Sequence, residues 1–372
     1  MSNEAERERN PFTPNFGQVP IRMAGRDFIV SEIERAFEAA PGDPSLTTII
    51  QGARGTGKTA LLTYLARIAE QHGWIAVDVT CIPGMLEDIK EQSQRKASPL
   101  LEVEGGRRLS GVGVGQLISL EWDNAEQPVG NWRSQMTDLV EGLNEQGVGL
   151  VITVDEIDPG LDEMVQLAAV YQHFVREDRK VALLMAGLPQ KVSALLNDGS
   201  VSFLRRASQQ RLGRIEDYEV EEAFRRTVEE FGKKVDDDAM ALAVEAIGGF
   251  PYMMQLVGFR AWQRAEGKGR IDAEAMESGI AMAGKDMESR VLRATLDELS
   301  EGDLAFLEAM LSDEASSTTA DIAGRMGKSA SYVSTYRRRL LEQGVIESRA
   351  RGHVSFALPL LREYLPVYLE GR

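Results

Sequence analysis

Residues 47–62 read "TTIIQGARGTGKTALL". Gly52, Gly57, Lys58 and Thr59 fit G-x-x-x-x-G-K-[ST], the spacing of a loop whose backbone N–H groups cradle phosphates. The lysine of such a loop reaches the β- and γ-phosphates, and the hydroxyl after it holds Mg²⁺. The flanks agree with that reading. "TTII" is a β-branched run suited to a buried strand, and "KTALLTYLARIAEQ" carries apolar residues at helical spacing up to Gly73. Strand, loop and helix in that order aim a helix N-terminus at the anion. The nucleotide-binding candidates are therefore Gly52, Ala53, Arg54, Gly55, Thr56, Gly57, Lys58, Thr59 and Ala60, with ATP and Mg²⁺ as the expected ligands.

Working outward, the 372 residues exceed what one hydrophobic core usually organises, so two or three domains are expected. Cys81 is the single cysteine, which excludes an internal disulfide framework. The opening "MSNEAERERNPFTPNFG" is charged where an export signal needs an apolar core, and no run approaches a membrane span. A cytoplasmic protein with a disordered tail over 1–20 and no membrane partner is the expectation. A net charge of −16 argues against broad attraction to nucleic acid.

From 21 to 215 the pattern alternates strands with helices, the signature of an α/β fold with a parallel sheet. Strands are expected at Thr47 to Ile50, Trp74 to Val79, Leu150 to Val154 and Val181 to Met185. Alternating residues around Gly105 and Gly106 suggest a hairpin inserted near 98–122, with Arg107 and Arg108 at its turn. Residues 216–295 read as helices only, and 296–372 as three short helices followed by two β-rich pieces around Gly352, the pattern of a winged helix.

Ninety residues after the loop, "GLVITVDEID" ends an apolar strand in Asp155 and Glu156. A phosphate loop needs a carboxylate for the metal shell and a second group for the attacking water. Asp155 suits the first role and Glu156, as catalytic base, the second, with Lys58 the catalytic cation.

"GARGTGKT", "VITVDEID", "LLMAGLP", "SFLRRA" and "GGFPYMMQLVG" together resemble an AAA+ ATPase related to the origin-recognition initiators and the STAND signalling ATPases. The resemblance implies a P-loop core with a helical lid and a C-terminal winged helix. It places Gly25 and Arg26 beside the adenine, and it implies that Arg206, or Arg205, reaches a neighbour's site in a nucleotide-dependent assembly. Two departures stand out. The end of the fourth strand offers Ala186 and Gly187 where the family places a polar residue, and the lid offers Gly249 and Pro251 in place of a sensor arginine. Pro251 would then lie on the nucleotide. Both departures imply slow hydrolysis, a switch more than a motor.

Between 320 and 351, seven lysines and arginines face three acids, a local reversal of the chain's charge. Double-stranded DNA is the expected partner of that region. "KSASYVSTYRRR" would enter the major groove with Ser329, Ser331, Tyr332, Thr335, Arg337 and Arg338, while Arg349 and Arg351 sit on the wing. The alternatives are a STAND-like switch, or a regulator with ATP as ligand only, whose winged helix docks a protein.

Overall fold

The computed structural model describes residues 9–15, 17–102, 129–350 and 352–372. Five parallel strands form the main sheet: β1 (Thr47–Gly52), β2 (Trp74–Thr80), β3 (Gly149–Asp155), β4 (Val181–Gly187) and β5 (Ser208–Leu212), in the order β2-β3-β4-β1-β5. Successive residues of a strand point to opposite faces, and both faces are buried here. Ile49 joins Ile152 and Leu183 in the core below one face, while Ile50 joins Val151 and Ala182 under the helices Asp27–Ala39 and Lys58–Gln71. All four expected strands are present and each runs one or two residues further at an end. β5, "SQQRL", was not expected: it is a polar edge strand paired only with β1, so it lacks the apolar run that marks the others.

The middle of the chain is mainly helical: Asp217–Glu230, Asp237–Ile247, Pro251–Arg264 and Ala273–Met287, the last continuing through a π-helical turn to Asp297. Helices only were expected there, but β6 (Lys234–Val235) and β7 (Arg270–Ile271) form a two-stranded parallel sheet, each too short to show a strand pattern in the sequence. The C-terminal part holds helices Glu301–Met310, Thr319–Met326 and Ala330–Glu342, and the antiparallel strands β8 (Ser317–Thr318), β9 (Ile346–Ala350) and β10 (His353–Phe356) in the order β8-β10-β9. A final helix, Leu361–Glu370, was not foreseen. One apolar cluster runs without a break from Phe224 and Trp262 in the middle helices to Phe306, Leu340 and Leu365 at the C-terminal end.

Two expectations about the chain's outline change. The tail is not loose over all of 1–20: Phe12 is 1% exposed, packed into the middle helices. The hairpin expected near 98–122 lies, from residue 103, outside the described residues, as do Arg107 and Arg108. Residues 98–102 are the end of the helix Met85–Glu102, held because Leu101 packs on Gly142 of the helix Val129–Glu145. No helix among the described residues is long and apolar enough to cross a membrane.

Candidate nucleotide site

The loop of residues 52–57 leaves the carboxyl end of β1, where parallel sheets present ligands. Gly55 and Gly57 adopt positive φ, 77° and 87°, a region that costs a residue with a Cβ about 1 kcal/mol. Gly52 is needed for a different reason: a Cβ there would sit 2.6 Å from Thr56 Oγ1 and 3.0 Å from the Leu212 carbonyl. Thr56 closes the turn by donating to Ala53 O at 2.8 Å. The helix Lys58–Gln71 begins at Gly57 with no side-chain cap, so its first N–H groups face the loop's interior. Ala60 lies in that first turn.

Lys58 is buried, and its Nζ donates to Gly52 O at 3.1 Å and Ala53 O at 3.0 Å. Burial lowers its pKa, while the carboxylates of Glu156 and Asp155 oppose the shift. Thr59 Oγ1 donates to Asp155 Oδ2 at 2.5 Å. The structure thus brings together the hydroxyl from the loop and the carboxylate from β3, 96 residues apart in sequence. Both are hard oxygen donors, the set Mg²⁺ prefers, and together with a triphosphate they fit its demand for few protein ligands.

Glu156 is exposed, next to that pair, with φ of 54°. A non-glycine residue in this region carries strain that tends to mark a functional site. It is held by Glu156 N–H donating to Asp155 Oδ1 at 2.9 Å and Ile157 N–H donating to Ala186 O at 2.9 Å. Ile157 also explains why the end of β4 is non-polar. A Cβ at Gly187 would fall 2.4 Å from the Ile157 side chain, so the isoleucine fills the space a larger residue would need.

The middle helices close over the loop. Pro251 starts the helix Pro251–Arg264 with its Cβ 3.9 Å from where a Cβ on Gly57 would be. Phe250, which sequence reasoning passed over, lies on Gly55: a Cβ there would meet the ring at 2.6 Å. Its only signal was an aromatic residue between Gly-Gly and Pro. Gly249 (φ 71°) accepts from Ile215 N–H at 2.8 Å. Arg26 is buried, donates to Gly213 O at 2.8 Å, and has its pKa pulled down by that burial.

The C-terminal part also touches the loop, which the sequence did not suggest. Arg54 pairs with Glu298 at 3.1 Å, and Arg214, just after β5, lies 3.9 Å from Glu347 on β9. A Cβ on Gly344 would lie 3.3 Å from Ala53. Gln190 Nε2 donates to Arg338 O at 3.4 Å. Arg206 is exposed before β5, and no hydrogen bond or ion pair among the described residues joins it to the loop; Arg205 Nε donates to Leu196 O at 2.8 Å.

The basic helix is only partly free. Ser329 is its N-cap and accepts from Tyr332 N–H at 3.3 Å. Ser331 and Thr335 are exposed, with Thr335 Oγ1 donating to Ser331 O. The Tyr332 ring lies 4.8 Å from that of Tyr336, with Lys328 Nζ 5.5 Å above it. Arg337 donates to Ser348 Oγ at 3.3 Å, and Arg338, 70% exposed, pairs with Glu342 at 3.5 Å. Nothing is described of the Arg349 side chain, and Arg351 lies outside the described residues.

Residues 22–185 match the family described as the AAA ATPase domain, and residues 289–365 match one described as a domain of unknown function, DUF8462. A comparison with curated proteins found no match. Among solved structures, the chain is similar to the Walker-type ATPase PABY2304 of Pyrococcus abyssi, with TM-score 0.67, 15% identity and coverage of 92% of this chain and 96% of that one. It is also similar to the Aeropyrum pernix ORC2 protein in ADPNP–ADP complexes, with TM-score 0.63, 13% identity and coverage of 96% and 97%. The Cdc6p of Pyrobaculum aerophilum gives TM-score 0.51 at 16% identity, covering 96% and 97%. These likenesses establish a common fold.

Proposed function

We propose, taking as premise that this chain is an AAA+ ATPase, that it is a slow nucleotide switch whose state controls DNA binding through a C-terminal winged helix. The observation that carries the nucleotide half is the Thr59 hydroxyl on Asp155 Oδ2, set beside the buried Lys58 ammonium. Bound Mg²⁺–ATP supplies a γ-phosphoryl group and a metal that offsets its charge. The chain's residues position it. Lys58 turns from the carbonyls of Gly52 and Ala53 towards phosphate oxygen, Thr59 and Asp155 hold the metal shell, and Glu156 takes the proton of the attacking water on its carboxylate. Slow turnover follows from Ile157 filling the space beside Gly187, which leaves the water without a polar partner from β4.

The DNA half rests on the element order helix, strand, helix, helix, strand, strand, and on exposed Lys328, Ser331, Thr335 and Arg338. The contacts of Gly344 with Ala53 and of Glu298 with Arg54 support coupling, because nucleotide chemistry at the loop would be felt directly by the basic domain. The test is DNA affinity in ADP and in a non-hydrolysable ATP analogue, across a salt series. Different affinities and a steep salt slope are expected. Equal affinities remove the switch, and no binding at low salt favours a protein partner. Self-association with Arg206 of one copy at another's phosphates belongs to the same reading, and is checked by the assembly state of Arg206→Ala in ATP.

A further inference from the structure

Residues 10–13, Asn-Pro-Phe-Thr, sit on the middle helices as a peptide sits in a receptor. The Asn10 side chain bridges two partners: Nδ2 donates to Phe259 O at 3.0 Å, and Oδ1 accepts from Phe12 N–H at 3.0 Å. Thr13 N–H donates to Gln255 Oε1 at 3.0 Å. Phe12 is buried between the helices Asp217–Glu230 and Pro251–Arg264, its ring 4.9 Å from that of Phe224. The pocket exists because residue 258 has no side chain: a Cβ there would lie 2.3–2.5 Å from the Phe12 ring. A helix interior disfavours glycine by about 1 kcal/mol relative to alanine, so Gly258 is a local cost that the ring's seat explains. Further on, the same stretch returns to the helical domain through Arg22 on Glu230 at 2.9 Å, before Arg26 enters the core.

We propose that residues 10–13 are a built-in peptide ligand of a pocket in the helical domain, and that occupancy of this pocket sets how firmly that domain closes on the phosphate loop. Asn10, Phe12 and Thr13 hold residues 255, 258 and 259 of the helix Pro251–Arg264, one to two turns after its first residue, Pro251, which faces Gly57. Helix and peptide are therefore one lever across the nucleotide. The ligand is specific in chemistry: an aromatic ring for the hole at Gly258, a carboxamide that both donates and accepts, and a free backbone N–H for Gln255. The first half of the proposal is independent of the reading above; the second rests on nucleotide binding there.

The experiment uses the chain lacking residues 1–13 and a synthetic peptide of residues 9–15, with fluorescent ADP as reporter. The truncated chain is expected to bind ADP about tenfold more weakly than the full chain. Saturating peptide should restore that affinity, and peptides with Asn10→Ala or Phe12→Ala should not. No saturable binding of the peptide by the truncated chain, or equal binding of the Phe12→Ala peptide, overturns the pocket. Unchanged ADP affinity with and without peptide overturns the coupling. If the full chain binds no ADP, the nucleotide reading fails while the pocket is still judged by peptide titration. Gly258→Ala supplies a second test, made in both the full and the truncated chain. In the full chain it should expel Phe12, lower the melting temperature and weaken ADP binding. In the truncated chain it should raise the melting temperature, because only the helical preference for alanine remains. The same sign in both backgrounds sinks the proposal.

Discussion

At the scale of single residues, the phosphate loop, Asp155 and Glu156 divide the work between binding and chemistry. Lys58→Ala removes the only ammonium that, among the described residues, is buried against the loop carbonyls, so ATP binding should fall below detection with an unchanged circular dichroism spectrum. Wild-type affinity in a filter or fluorescence titration would refute the role. Glu156→Gln keeps the backbone and size of the side chain but cannot take a proton. It should hold ATP with wild-type affinity and lose at least about a hundredfold in turnover, the usual weight of a positioned general base. Gly187→Ala pushes a methyl group towards Ile157 and should cost about 1–3 kcal/mol of stability, read as a lower urea midpoint. The phosphate loop and the acid pair were legible in the sequence because each is a local pattern with a chemical reason. Phe250, Gly258 and the reason for Gly187 were not, because each role depends on which distant side chain occupies the space beside it.

At the scale of elements, the basic helix Ala330–Glu342 mixes structural arginines with available ones. Arg339 pairs at 2.7 Å with Asp303, a carboxylate that is fully buried and also accepts from Ser300 Oγ. Arg339→Ala strips that acid of its cation and should cost about 2 kcal/mol. Among the described residues the Arg338 side chain has only a solvent-accessible pair with Glu342, worth little, so Arg338→Ala should leave the melting temperature within a degree or two and reduce DNA affinity and its salt slope. Replacing Arg337, Arg338 and Arg339 together would therefore confuse unfolding with lost contacts. Three consecutive arginines look equivalent in sequence, but successive helical residues point about 100° apart, so Arg337 faces β9, Arg338 faces solvent and Arg339 faces the buried Asp303. Strand prediction has the mirror problem: the buried strands announced themselves by β-branched runs, while β5 is carried by its pairing with β1 and not by its composition.

At the scale of the whole molecule, the two apolar cores flanking the sheet are separate from the third, which serves the helical and C-terminal parts together. The expected border near residue 295 falls inside the continuous helical run that passes from Ala273 to Asp297, and Leu292, Leu296 and Leu299 belong to the shared cluster on either side of it. The divisions visible in sequence patterning are thus not divisions in cohesion. Patterning reports which elements a stretch forms, whereas cohesion depends on which surfaces those elements bury against each other. Calorimetry of the full chain should accordingly resolve at most two endotherms, one for the sheet and one for residues 217–370, with no separate transition for the C-terminal piece; a third, independent peak would contradict this. A fragment cut at 296 would expose half of a core, with Leu299, Leu304, Phe306 and Leu365 losing their cover. Such a fragment would aggregate before it could be assayed for DNA. An insertion tolerated by evolution or by an engineer at that seam would have to thread a cohesive interior, so recombination of this C-terminal piece with other ATPase cores should succeed only when the helices from 217 onward travel with it.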